Sequence, residues 1–273
     1  AAFTEQQRPA DGRIVPWFGP HAPYVDNSED LLQAEVAMAV HYGVGLHLHM
    51  AAGPEDNELT MARYGLTATQ ALLRDGFFAG RVHAAHCLDL SADDIAIFAA
   101  APAASAGLRS GRAGACPAVA LKAAGVTVAL GTDNVAANNA YDMVSEMRVA
   151  GLVASHREGV AQPISSAELI RMATIEGARA LGLDHEIGSL EPGKSADIIA
   201  IDMRGSGYSE TPDYETLLVY SGSGRDVDNV WVAGEQLVAE RQLVRRPYQD
   251  IRSAYSATYR DFWARVEINK KGN

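Results

Sequence analysis

The sequence predicts an α/β fold in which parallel strands, built to line a barrel, alternate with crossover helices. A smaller β-rich region and a helical tail follow. Three observations carry this expectation. Short apolar runs of period two alternate with helical-period stretches from residue 44 to about residue 181, the pattern of strand, helix and strand again. The strands have two unlike faces, a bulky one for packing under helices and a slim one ending in histidine or aspartate. After Ile187 the pattern changes to turn-rich hairpin signals. The expected segments are 1–183 for the barrel part, 184–245 for the β-rich part and 246–273 for the tail.

The clearest element is Val126-Thr-Val-Ala-Leu-Gly-Thr-Asp133. Val126, Val128 and Leu130 share one face, and Thr127, Ala129, Gly131 and Asp133 share the other. The carboxylate of Asp133 would then stand at the C-terminal end of a barrel strand, where such folds build their active sites. The competing assignment makes Asp133 a cap of the following helix.

Upstream, residues 1–13 are polar loop, and residues 14–18 form a short strand running into Gly19-Pro-His-Ala-Pro23, whose prolines hold His21 in a turn. Ser28 starts a helix that ends at Gly43, residues 44–50 form a strand, and a helical zone runs from Gly53-Pro54 to about Phe78. Residues 81–86 are the next strand. A helix over 93–100 flows into a strand near 99–102, and a glycine-rich loop over 107–114 precedes a helix over 117–124. Two longer helices follow Asp133, over 140–156 after Asn138-Asn139 and over 166–181 after Ser165. Glu146 and Arg148 are expected to pair with each other. Gly188-Ser-Leu-Glu-Pro-Gly-Lys194 lacks phosphate-loop spacing and reads as a turn. It leads to a strand over 197–202, an antiparallel pair over 227–243 with Gly234-Glu235 at the turn, and an amphipathic helix over 248–266.

With 273 residues and 48% hydrophobic content the chain can bury an ample core. A formal charge of -11 provides no basic field for a phosphate backbone, so nucleic acid is not an expected partner. No apolar run reaches membrane-spanning length, and no membrane association is expected. Cys87 and Cys116 are too few for a disulfide framework, which points to a reducing, cytoplasmic setting.

Three strands end in groups that ligate metals. His47 and His49 share a face of their strand, with His49 nearer the C-terminal end and the better ligand; His47 reads as a hydrogen-bonded core residue. His83 and His86 are three apart, so alternation sends them to opposite faces and at most one enters the interior, with His86 preferred. Histidine nitrogen and aspartate oxygen together suit one zinc-like ion that lowers the pKa of a water. Asp133 would take the water's proton, and His86 would bind the water or polarise the atom attacked. His21 would contact a substrate or is simply a loop histidine. Trp17 and the loop at Arg109 would line the pocket.

The ordered series Phe18-Gly-Pro-His-Ala-Pro-Tyr24, Leu46-His-Leu-His49, Ala85-His-Cys87, Leu130-Gly-Thr-Asp133, Ala137-Asn-Asn139, Glu146-Met-Arg148, Ala173-Thr-Ile-Glu-Gly-Ala178 and Ile187-Gly-Ser-Leu-Glu-Pro-Gly-Lys-Ser-Ala-Asp197 resembles the amidohydrolase superfamily. Within it the match is to the branch of adenosylhomocysteine/methylthioadenosine deaminases and triazine chlorohydrolases, over about residues 13–245. The resemblance implies a metal-dependent (β/α)8 TIM-type barrel, here about strands 4–8, with the C-terminal part of a small β-sandwich. It implies one divalent metal, zinc first and iron as the alternative, and hydrolysis of an amino or halogen substituent on a purine, pterin or triazine-like ring. His49 and Asp133 match metal ligands, His86 the histidine beside the catalytic water, and His21 a substrate-contacting histidine.

The sequence departs from that pattern in three places. Ala52 stands where a proton-shuttling glutamate follows the metal histidine, with Glu55 and Glu58 further along. Ser105 stands at the place of a substrate-contacting asparagine. The His-x-His pair of a first barrel strand would lie upstream of residue 1. The chain is therefore expected to be a homo-oligomer or to be completed by an N-terminal partner segment. The expected activity is hydrolytic deamination, with hydrolytic dechlorination or a catalytically incomplete half-barrel subunit as alternatives.

Overall fold

The computed structural model describes residues 14–101, 104–108, 110–111, 114–205 and 207–271. They divide into two compact units: one runs to Ser189 and takes in Gly207–Gly224, and the other comprises Leu190–Ser206 and the residues from Arg225 onward.

The first unit is built on a parallel sheet of β1 (Leu46–Met50), β2 (Val82–His86), β3 (Ala104–Leu108) and β6 (Thr127–Leu130), in that spatial order. A two-residue antiparallel pair, β4 (Ser110–Gly111) with β5 (Gly114–Ala115), interrupts the passage from β3 to β6. All three neighbouring pairs of the large sheet are parallel. In place of a strand over 14–18, only Phe18 bridges to Leu46, because Pro16 and Pro20 on either side cannot donate to a ladder. The buried face of the sheet carries Leu46, Leu48, Met50, Val82, Ala84 and Val128. Against it pack Leu32, Phe98, Leu121, Leu169 and Met172 from the surrounding helices, and Phe77 from a 3-10 turn.

Helix boundaries follow capping chemistry more closely than periodicity. The helix Glu29–Tyr42 is capped by Ser28 and closed by Gly43 at φ 62°, as expected. The helical zone after Gly53 splits into Pro54–Tyr64 and Ala68–Arg74, because Gly65 closes the first at φ 68° and Thr67 opens the second with a reciprocal capping box to Gln70. The strand expected near 99–102 is instead Ala104–Leu108, since the helix Ala92–Ala100 continues until its buried Phe98 is seated; Pro102 lies outside the described residues.

The long helix does not open after Asn139. It is Met143–Glu158, and Asp142 caps it by accepting from the amides of Val144 and Ser145. Asn138 ends a one-turn helix, Val135–Asn138. The helix expected over 166–181 breaks at Thr174, where ψ is -96°. Glu146 and Arg148 take separate partners, because residues two apart on a helix point apart. Arg148 donates to the carbonyls of Val219 and Gly222 on the helix Tyr214–Ser221 and its cap, an element the periodicity did not place.

The second unit is an antiparallel sheet, β7 (Ile198–Ile201), β8 (Val227–Val232), β9 (Glu235–Ala239) and β10 (Gln242–Leu243), followed by the helix Tyr248–Lys271. The turn between β8 and β9 is Ala233-Gly234, with φ of 49° and 78°. A type I′ two-residue hairpin has both central residues left-handed, which places the turn one residue earlier than the sequence suggested. None of the buried core residues described belongs to this unit. Among the described residues no helix is long and apolar enough to cross a membrane.

Gly45 tests the packing at the start of β1. A Cβ there would fall 2.4 Å from the Trp17 ring. Gly45→Ala is expected to lower the unfolding free energy by about 1–3 kcal/mol. Gly80→Ala, where a Cβ meets nothing within 4 Å, should change it by less than about 0.5 kcal/mol in the same denaturant titration.

Candidate active site

Parallel strands bring their C-terminal ends to one side of a sheet. Along β1 the side chains alternate strictly: Leu46, Leu48 and Met50 are buried towards the helices, while His47 and His49 occupy the other face. His49 lies beside Ala85 of β2, one step from the strand end. Its amide donates to the carbonyl of His21 at 2.7 Å, and its ring Nδ1 donates to the same oxygen at 3.0 Å. A carbonyl oxygen can only accept, so Nδ1 of His49 carries a proton, and in the neutral ring Nε2 is then the atom whose lone pair a ligand could use. This orienting bond leaves no trace in the sequence, because it runs through a backbone oxygen of a distant turn.

His21 itself sits at φ 41°, with its Nδ1 2.5 Å from Asp26 Oδ2. That hydrogen bond holds the Asp26 carboxyl below the usual carboxylate range. The prolines around His21 do not forbid all regular structure: Pro23 takes the first position of the short helix Pro23–Asp26, where a missing N–H costs nothing. The His21 ring meets the His49 ring edge-on at 4.7 Å between centroids.

His86 stacks on His49, with centroids 5.0 Å apart and planes 14° from parallel. Strict alternation would have placed it among the helices with Val82 and Ala84. It escapes because His86 and Cys87 adopt φ of 77° and 51°, which ends the strand geometry and turns the ring. The expectation that only one β2 histidine shares the face of His49 is therefore corrected: His83 stands beside His47 at 5.1 Å and His86 beside His49. His47 is exposed, so it is not a buried core histidine.

Left-handed non-glycine residues mark the C-terminal ends of these strands. Ala51 after β1, His86 and Cys87 at the end of β2, and Asp133 after β6 have φ of 44°, 77°, 51° and 58°. Each such residue costs of order 1 kcal/mol and persists only where the surroundings enforce it, a pattern that clusters at functional sites. The sequence offers no signal for it, since none of the four is glycine.

Asp133 is half-buried three residues past the last paired residue of β6, and its Oδ1 accepts from both nitrogens of Asn134. Asn138 donates to the carbonyl of Thr132 at 2.9 Å and to Glu146, tying the turn at Asp133 to the helix Met143–Glu158. Two strands separate β6 from β1. In a flat sheet that spacing is about 14 Å, so only curvature would bring Asp133 and His49 to one ion. Among the described residues no three His, Cys, Asp or Glu side chains converge to hold a metal. Imidazole nitrogen and carboxylate oxygen are donor types chemically suited to zinc.

Trp17 lies apart from the histidine cluster. It packs on Gly45 at the N-terminal end of β1, lining a cavity of about 510 Å³ with Phe77, Arg81 and Leu183. That end of a parallel strand is the structural one, and the Arg81 guanidinium there is engaged by the carbonyl of Arg179. Beside His49 the cavity is only about 10 Å³, room for about one water, with Asp56 on its wall donating nothing and accepting from the Ala52 amide. Glu55 starts the helix Pro54–Tyr64, as a helix-start carboxylate would. Ser105 lies on β3 between His83 and Thr127. Its side chain, like Arg109, is outside the described residues. Cys87 and Cys116 are buried, and burial pushes the Cys87 thiol well up and that of Cys116 to about 12, so neither is a nucleophile.

Burial, reinforced by His47, pushes the His83 imidazole down to about 4. The folded state thus prefers the neutral ring, so the stability His83 contributes is intact above the unfolded value near 6.5 and is lost as pH falls towards 4. His83→Gln removes that loss and should gain on the wild type by on the order of 3 kcal/mol between those pH values, measured as the difference in unfolding free energy.

The geometry can be set beside known proteins. The amidohydrolase family model matches residues 2–237. The chain is 40% identical over 252 residues to a 5-methylthioadenosine/S-adenosylhomocysteine deaminase of Teredinibacter turnerae, covering 89% of this chain and 56% of that protein. It is 42% identical over 241 residues to the enzyme of the same name from Moorella thermoacetica, covering 85% and 55%. Among solved structures, a zinc-bound adenosine deaminase from Xanthomonas campestris superposes with a TM-score of 0.90 at 30% identity, covering 97% of this chain and 60% of that one. An atrazine chlorohydrolase from Arthrobacter aurescens, solved with zinc and atraton, superposes at 0.81 with 28% identity, covering 90% and 55%. The chain spans little more than half the length of the relatives it matches. By the extent of these matches, it belongs to the amidohydrolase family.

Proposed function

We propose that this chain is the C-terminal catalytic part of a zinc-dependent hydrolytic deaminase acting on an amino-substituted nitrogen heterocycle of the purine, pterin or triazine type. The observation that carries the reading is the histidine cluster at the strand ends, where His49 is held by the His21 carbonyl with Nε2 available and His86 lies against it. Deaminase relatives near 40% identity give that cluster a reaction.

His49 and Asp133 would hold the metal, with His86 beside it. When bound, a divalent zinc ion makes a water acidic enough to attack near neutral pH. Asp133 accepts the proton of the attacking water, the new C–O bond forms at the ring carbon bearing the amine, and His86 stabilises the charge that develops. The C–N bond then breaks and ammonia leaves with the proton. His21 orients His49 through its carbonyl and presents its ring towards substrate. The rest of the donor set and of the pocket is supplied from outside these residues, by a preceding segment or another chain. Two features of the sheets support this: among the described residues the parallel sheet ends at β1 and β6 without closing, and the antiparallel sheet of the second unit buries no residue fully. A cytoplasmic location accords with two free, buried cysteines.

Ala52 favours a second reading, hydrolytic dechlorination, since chloride departs without the proton an amine requires. The two are separated by assaying the protein that carries these residues with amino- and chloro-substituted rings, following ammonia and chloride. Ammonia release is expected; chloride release alone would replace the first reading with the second. His49→Ala and Asp133→Asn should each lower turnover at least about 100-fold and reduce zinc content measured by elemental analysis. Unchanged turnover in either variant removes that residue from the site.

A further inference from the structure

We propose that Asp26 is a positioning residue for His21: its carboxylate fixes the imidazole proton on Nδ1 and leaves Nε2 as the atom that meets a substrate. The inference rests on the deaminase reading only in what Nε2 meets. Its basis is the way the two carboxylate oxygens are used. Oδ1 accepts from the Ala22 amide at 3.3 Å and from Asn27 Nδ2 at 2.7 Å, while Oδ2 lies 2.5 Å from His21 Nδ1. An ionised carboxyl has no proton to give, so Nδ1 is the donor. A neutral imidazole free in water carries its proton mainly on Nε2, and a fixed acceptor on the other nitrogen reverses that preference.

Asn27 extends the hold. Its Nδ2 also donates to the carbonyl of Pro20 at 2.8 Å, so the turn from Pro20 to Asn27 is closed by hydrogen bonds on both sides of His21. That turn carries the His21 carbonyl, which accepts from both the amide and the ring of His49. Asp26 thus holds the ring of the residue whose backbone orients His49. Among the described residues none hydrogen-bonds His21 Nε2, and the His21 side chain is exposed by 68%, open to a ligand.

Asp26→Asn separates positioning from structure. The Ala22 amide and Asn27 Nδ2 both point at the Oδ1 position and require an oxygen there, so the amide nitrogen of the variant faces His21 and donates to Nδ1. The ring proton must then move to Nε2. The exposed pair adds little to stability, so the fold is kept. Ring-nitrogen NMR of the 273-residue chain, with isotope-labelled histidine and at a pH that leaves the ring neutral, tests this. His21→Gln identifies the resonance. The expected result is His21 protonated on Nδ1 in the wild type and on Nε2 in Asp26→Asn, with thermal unfolding unchanged. A wild-type ring protonated on Nε2, or a variant ring still protonated on Nδ1, would overturn the proposal whatever the reaction is. In the protein that carries these residues, Asp26→Asn should lower kcat/KM about tenfold, and should have no effect in a His21→Gln background. An equal loss in both backgrounds would show that Asp26 does not act through His21. Absence of ammonia release from the wild type would remove the deaminase reading and leave the tautomer result to decide this one.

Discussion

The parallel backbone ladder from Leu46 to Leu130 is the constraint on which the rest of the first unit depends. Its hydrogen bonds fix strand direction, so four strand ends must arrive on one side, and its pleat fixes which residues face the helices. Leu46, Leu48, Met50, Val82 and Val128 fill the helix side, and burying them commits His47 and His49 to the other. The hydrophobic effect thereby places the imidazoles without acting on them. A one-residue slip of β1 would bury both histidines and expose three large apolar side chains.

At the strand ends the ladder gives way to backbone that ordinary residues resist. Ala51, His86, Cys87 and Asp133 each hold a left-handed conformation at or just past the end of a strand. The amides of Cys87 and Leu88 donate to the carbonyls of Met50 and Ala51, so neighbouring strands hold one another in the strained state. This is how His86 leaves the face its position assigns and stacks on His49. The cost is carried by a core extensive enough to offset it.

Both sheets leave surface uncovered among the described residues. Among the described residues, the parallel sheet has one edge touched only by the Phe18 bridge, and the antiparallel sheet of the second unit holds no fully buried residue. The relatives are nearly twice as long as the part matched here. A cavity of about one water beside His49 is consistent with a pocket of which these residues form only a portion.

Most of the fold was legible in the sequence, because its cause is local and periodic. Alternation in β1 and β6, Ser28 and Gly43 around the first long helix, and the change of character after Ile187 follow from burial and capping alone. Boundaries failed where a cap outweighed a pattern, as with Asp142 over Asn139, or where prolines deprived residues 14–18 of ladder donors. For the proposed site, the sequence singled out His21, His49, His86 and Asp133 as candidates. Only tertiary structure decided that the His21 carbonyl sets the proton on His49, that His86 crosses faces, and that Trp17 belongs to the opposite end of β1. Those outcomes rest on backbone dihedrals and on contacts between residues distant in the chain, and neither is encoded in any short window of it.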